Sequence, residues 1–263
     1  MAEFINTVDV VGDEALTDSI IDRTITEFKD NSVTKIGAYA FKGCSNLVEV
    51  DCPEVTTVMM QGFEGCAALS SVNLPNVTKI SQESFQKCSQ LTEIHLSDLV
   101  EIEGSYAFAR CTALVSIDAP KLTTMGRYNN GVFQNCQSLR AVNFPLLKTL
   151  GTGAFSAHFG SPPIIPTLDL PCCTVIGTNA IPMPALETLI LRASTVCTLD
   201  NVSALNNTKI KAGTGYIYVP AALVEDYKVA TNWSSFADQF RALENYTVDG
   251  TVTGEIDETK IAT

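Results

Sequence analysis

The chain has 263 residues and a net charge of −12. That charge excludes duplex and single-stranded nucleic acid and anionic membrane surfaces as partners, and no apolar run is long enough to span a bilayer. Nine cysteines make an odd set, which argues against a framework of paired disulfides.

Residues 1–35 are expected to be an N-terminal segment and cap. Phe4 to Val10 alternate like a strand and read as an arm or attachment segment. Ile21, Ile25 and Phe28 are spaced to line one face of a short helix, so residues 13–31 are expected to cover the apolar edge of whatever follows. Residues 1–28 carry no basic stretch followed by an apolar core, the pattern of a secretory leader.

From Ile36 the chain repeats itself with a step of 22 residues, stretched to 23 and then 25. Cys44, Cys66, Cys88, Cys111 and Cys136 mark one column. A Phe column (Phe41, Phe63, Phe85, Phe108, Phe133) stands three residues before it, and a Leu column (Leu47, Leu69, Leu91, Leu114, Leu139) three after. Aligned apolar columns at this period specify a solenoid, in which each coil buries its apolar side only against its neighbours.

One repeat shows the parts. Gly62 to Cys66 has apolar residues three apart, which suits a helical turn on the outer side. Ser71-Val72-Asn73-Leu74 alternates and stops at Pro75, giving a short strand with Val72 and Leu74 inward and Ser71 and Asn73 outward. Val77 and Ile80 return the chain to the core. Stacked strands then form a parallel sheet, and the cysteines become a buried ladder of free thiols; their parallel Cβ directions suit disulfides poorly. Cys172 and Cys173 are adjacent, and Cys173 falls on the inward column of Val55, Val77 and Leu99.

Repeats occupy residues 36–220 and give seven or eight rungs. Arg127 to Gly131 widens one turn, and an insertion at 156–166 interrupts another. After Pro220 the period changes. Residues 221–246 are expected to be a helical C-terminal cap: one helix over Ala221 to Lys228, and a second through Trp233, Phe236, Phe240 and Leu243, with Trp233 as its anchor. Residues 247–263 read as a tail or a last edge strand.

The run Ile36-Gly37-Ala38-Tyr39-Ala40-Phe41-Lys42-Gly43-Cys44-Ser45-Asn46-Leu47, with Leu91-Thr92-Glu93-Ile94-His95-Leu96 as its strand part, resembles the BspA-like, or Treponema pallidum-type, leucine-rich repeats. The resemblance covers residues 33–220, and the closing segment through Tyr227, Trp233 and Phe240 is similar to end-caps of such proteins. It implies a right-handed leucine-rich repeat solenoid with short parallel strands on the concave side and short helices or turns on the convex side. Better-known relatives are surface or secreted adhesins, so the resemblance implies a non-catalytic, extracellular or cell-surface binding protein for a host or microbial protein or glycan. A prophage-encoded virion or tail-associated protein, or a cytoplasmic location, is the alternative.

The candidate contact surface is the outward strand positions. Glu49, Ser71, Glu93, Ser116, Ala141, Thr167 and Thr188 form one column; Asp51, Asn73, His95, Asp118, Asn143, Asp169 and Ile190 form the other. Neighbouring strands place matched side chains roughly 5 Å apart. Such a face suits a basic or neutral polar protein or glycan; its alternative reading is a solvated surface whose Asp and Asn side chains satisfy one another. Tyr128, His158 and Phe159 are candidate loop contacts. No cofactor or metal is expected, because His95 and His158 have no ligand spacing and no loop carries calcium-ligand spacing. Catalysis lacks a phosphate loop, a nucleophile elbow and a Cys-His pair on one side. The chain is expected to be a monomer, with self-association through its N-terminal segment as the other possibility.

Overall fold

The computed structural model describes residues 10–11, 23–126, 131–157 and 160–243. Short strands alternate with turns along this length. They are β1 (Val10–Val11), β2 (Glu27–Lys29), β3 (Lys35–Ile36), β4 (Glu49–Asp51), β5 (Thr57–Val58) and β6 (Ser71–Asn73). Next come β7 (Lys79–Ile80), β8 (Glu93–His95), β9 (Glu101–Ile102), β10 (Ser116–Asp118), β11 (Ala141–Asn143) and β12 (Thr149–Leu150). The last are β13 (Thr167–Leu170), β14 (Val175–Ile176), β15 (Thr188–Leu191), β16 (Thr198–Leu199), β17 (Tyr216–Pro220) and β18 (Phe240–Leu243). Among the described residues every strand pairing is parallel and joins successive coils, so the chain winds as a leucine-rich repeat solenoid of about nine turns.

The alternation of the strands explains the winding. In β8, Ile94 is buried while Glu93 and His95 are exposed, as period-two side chains require. Leu96 and Leu99 then carry the chain into the core, and Ile102 of β9 is buried there too. The core is one continuous cluster from Phe28 to Phe240. Its spine is the Phe column, whose rings stack at 5.2 Å from Phe41 to Phe63, Phe85 and Phe108, then at 5.5 Å to Phe133 and 5.4 Å to Phe155.

The cysteines do more than fill space beside it. The thiols of Cys66, Cys88, Cys111 and Cys136 each donate to the carbonyl of the Phe in the preceding coil, at 3.1, 3.3, 3.1 and 3.1 Å. That carbonyl already accepts from the cysteine N–H of its own coil, as Phe41 does from Cys44 at 3.0 Å. A small side chain with one weak donor is what this position requires.

Three segments differ from the expectation. The outer turns are not helical. Gly43, Gly65, Lys87, Arg110 and Asn135 all have left-handed φ, from 60° to 76°, which breaks a helix after one turn. The gain is a second direction of bonding: Phe41 N–H donates to the Gly62 carbonyl of the next coil, and Gly43 N–H to that of Glu64, both at 2.7 Å.

At the N-terminus, Phe28 does not sit on a cap helix. It lies in β2, pairs in register with Val50, and stacks at a tilt on Phe41 at 4.9 Å. Residues 1–9 and 12–22, including most of the proposed cap, lie outside the described residues, as do residues 244–263.

At the C-terminus, α1 (Val224–Val229) forms where a helix was expected, but the second helix does not. Trp233–Gln239 is a pair of 3-10 turns, and Phe240 and Leu243 belong to β18, in register with Ile217 and Pro220. The unpaired edge of β17 takes a strand there, satisfying its backbone groups.

Candidate functional site

The outward positions of the long strands share one face. Glu49 and Ser71 are in register, as are Asp51 and Asn73; Glu93 is level with Ser116, and His95 with Asp118 and then Asn143. Side chains on neighbouring coils bond along the column. Asn73 Nδ2 donates to Asp51 Oδ1 at 2.7 Å, Asn143 Nδ2 donates to Asp118 Oδ1 at 2.7 Å, and His95 Nδ1 bonds the other oxygen of Asp118. These groups remain open to solvent, with the His95 side chain 63% exposed and that of Asp118 38% exposed. Fixed amides and carboxylates on an open sheet present set donors and acceptors to a partner without further loss of rotamer freedom.

The face is not one uninterrupted sheet. It falls into three blocks: β2-β4-β6, β8-β10-β11 and β13-β15-β17-β18. The opposite strands run unbroken from β1 through β9 and, by bridges at Thr124, on to β12, β14 and β16. The long strands therefore fan apart at two seams while the coils stay joined behind them. Val72 and Val142, inward residues at the seams, are only half-buried where their counterparts Val50, Ile94 and Ile117 are buried. The polar ladder breaks at the same places: no bond joins Asn73 to His95 or Asn143 to Asp169 among the described residues. The structure thus brings together Asp51 with Asn73, and His95 with Asp118 and Asn143, but leaves Asp169 in a separate block.

A sequence model of the BspA type leucine-rich repeat region matches residues 11–140 and 129–212, in six copies. The chain belongs to the BspA-type leucine-rich repeat family. Among solved structures, a leucine-rich repeat protein of T. pallidum is 28% identical with a TM-score of 0.44, over 50% of this chain and 62% of that one. One from Bacteroides ovatus is 22% identical with a TM-score of 0.48, over 80% of this chain and 58% of that one. A leucine rich cell surface protein from Faecalibacterium prausnitzii is 16% identical with a TM-score of 0.41, over 87% and 86%. The chain thus spans less than two thirds of the first two proteins. No curated protein matches it in sequence.

In the last block of this BspA-type repeat, Arg192, Tyr216, Tyr218 and Arg241 are face residues that the sequence did not single out. Asp169 is held by Arg192, whose Nη2 reaches one carboxylate oxygen at 2.8 Å and whose Nε lies 3.1 Å from both. Ile190, in register between Asp169 and Tyr218, is only 1% exposed although it occupies an outward position. Tyr216 and Tyr218 are half-buried, and the Arg241 guanidinium sits over the Tyr216 ring at 4.2 Å. The available signal was the alternation Tyr216-Ile217-Tyr218-Val219, which turns both tyrosines to the face once Ile217 is inward.

Of the loop candidates, Tyr128, His158 and Phe159 lie outside the described residues. Among the described residues, no group of three His, Cys, Asp or Glu side chains is arranged to hold a metal, and no helix is long and apolar enough to cross a membrane.

Five buried thiols of the repeat are chemically quiet. Burial pushes the thiols of Cys52 and Cys136 up to about 12, and raises those of Cys66, Cys88 and Cys111 as well. A thiol held protonated is a poor nucleophile. All nine cysteines are unpaired by disulfides, eight are buried, and Cys172 alone is half-buried while Cys173 faces the core. Native protein is therefore expected to show one fast-reacting thiol with Ellman's reagent and nine after denaturation. Loss of the fast phase in Cys172→Ser identifies it; a fast phase from several thiols would contradict the burial.

Proposed function

We propose that the protein is a non-catalytic recognition scaffold that works at the cell surface or outside the cell. It binds a host or microbial protein or glycan through the strand face. The supporting observation is the central block, where His95, Asp118 and Asn143 are locked to one another yet open to solvent. Beside them Glu93 is exposed and has no ion-pair partner among the described residues. A surface kept in a fixed polar pattern and flanked by two seams offers both hydrogen-bonding groups and shallow apolar footholds at Val72 and Val142. The family's reputation for protein binding and surface recognition points the same way.

The test is binding to arrayed matrix proteins, mucins and glycans, followed by titration of whatever binds saturably. Changing Glu93, His95 and Asp118 together to Gln, Ala and Asn should weaken that binding by about tenfold or more, since central contacts dominate recognition surfaces. These side chains are exposed and bear no core weight, so the melting temperature should hardly move. An unaltered affinity would remove the strand face from the reading.

A further inference from the structure

The blocks of the strand face differ in charge. The first two carry Glu27, Glu49, Asp51, Glu93 and Asp118, and their one lysine, Lys29, is taken up by Glu49 at 2.9 Å and Glu27 at 3.3 Å. In the third block the sign changes. Arg192 cancels Asp169. Arg241 is exposed on β18, in register with Tyr218, and no carboxylate pairs with it among the described residues.

The state of Arg241 is specific. Its Nη1 donates to the carbonyls of Asp238 at 2.9 Å and Phe240 at 2.8 Å, and its plane is held over Tyr216. Those contacts fix the fork and leave Nε and Nη2 without partners among the described residues. A guanidinium already immobilised loses little entropy on meeting a carboxylate, and two parallel N–H donors match its two oxygens. The ground beneath is firm: Ile190 and Thr188 are covered, and Tyr216 and Tyr218 offer ring surface with hydroxyl tips. Burial raises the Tyr218 hydroxyl above its ordinary value although Arg241 opposes the shift, so it remains a donor at neutral pH. Tyrosine and arginine on a packed base are the composition of interface hot spots.

We propose that Tyr216, Tyr218 and Arg241 form a docking site for an acidic segment of a protein partner, with Arg241 taking a carboxylate side-on and the two rings supplying contact area. The proposal rests on the strand face being the recognition surface, and places an anchoring contact of that surface at its C-terminal block. A protein partner is favoured over a nucleic-acid one because a chain of net charge −12 repels a continuous polyanion, whereas a short acidic segment needs only the local cation.

A short fluorescein-labelled glutamate oligopeptide is the probe, titrated at low ionic strength by anisotropy, with a lysine oligopeptide and a galacturonate oligomer of matched length as comparisons. Arg241→Glu should weaken binding of the glutamate oligopeptide by about tenfold or more, Arg241→Lys by less because it keeps the charge and loses the fork, and added salt should weaken it throughout. Tyr216→Ala with Tyr218→Ala should also weaken it, with Trp233 fluorescence unchanged as proof that the cap is intact. No binding by the wild-type protein, equal binding by Arg241→Glu, or tighter binding of the galacturonate oligomer would each overturn the proposal. The strand-face reading is judged separately: if the combined Glu93, His95 and Asp118 change abolishes binding of an array partner while Arg241→Glu does nothing, that reading stands and this site falls.

Discussion

Phe85→Ala is expected to lower the unfolding free energy by about 3–5 kcal/mol, the cost of emptying a buried phenyl site that cannot collapse. Phe85 is fully buried and stacks on Phe63 and Phe108, both at 5.2 Å. Each such aromatic contact is worth about 0.5–1.5 kcal/mol beyond area burial, so the upper part of the range applies. The ring's position explains why relaxation is limited. Its backbone is bonded within its coil and to the next, with the Phe85 N–H donating to the Ala107 carbonyl at 2.8 Å and its own carbonyl accepting from the Cys88 N–H at 3.2 Å and the Cys111 thiol at 3.1 Å, and the preceding coil is tied on next to it by the Phe63 N–H, which donates to the Ser84 carbonyl at 2.7 Å. Neighbouring coils cannot slide into the void without breaking those bonds. Phe28→Ala is the internal comparison. Phe28 meets the stack from one side only, through a tilted contact with Phe41, and is slightly exposed. Its loss should be clearly smaller in the same urea titration. Equal losses would mean that the column contributes area alone and not a continuous stack.

That stack was readable from sequence because burial dictates composition at every coil: Phe, Cys, Leu, Val and Ile recur where the interior is tight. The column survives the extra residue before Phe108 because the lengthening falls in the outer turn. The first coil was missed for the same reason in reverse. Ile25, Phe28, Val33 and Ile36 stand 22 residues before Leu47, Val50, Val55 and Val58, but the Phe and Cys positions are occupied by Ser19 and Asp22. The most telling columns are silent there, so a strand-forming segment reads as an amphipathic helix. β18 misled in another way. Phe236, Phe240 and Leu243 are spaced for a helix face, yet the exposed edge of β17 needs backbone partners, and a strand supplies them. The conformation of the outer turns was hidden because Lys87, Arg110 and Asn135 adopt the left-handed geometry that Gly43 and Gly65 would have signalled. On the face, side-chain direction followed from period two alone, and the registers follow from the repeat step. The seams and the Arg241–Tyr216 contact did not, since both depend on how coils fan and on where a cap strand returns.

That returning segment makes Trp233→Ala the second large effect. Trp233 is 1% exposed, meets the rings of Tyr227, Phe236 and Phe240 edge-on, and donates from Nε1 to the Cys197 carbonyl at 2.6 Å. The Cys197 N–H donates to the Tyr227 hydroxyl at 2.8 Å, so Trp233 and Tyr227 together satisfy both backbone groups of Cys197. Removing the indole leaves a cavity costing about 3–5 kcal/mol and a buried carbonyl without its donor, a further penalty of about 1–3 kcal/mol. These costs fall on one end of a structure whose coils contact only their neighbours, so the cap should open before the rest. Hydrogen exchange should rise over α1 and β18 and fall back to wild-type values by β10. Trp233→Phe separates the two contributions: it keeps much of the packing and loses the hydrogen bond, and should sit between wild type and Ala. Because β18 carries Arg241, a loosened cap should also release the guanidinium from Tyr216. If Trp233→Ala instead melted the whole chain in one step, the end would be part of a single cooperative core rather than a lid closed over the last coil.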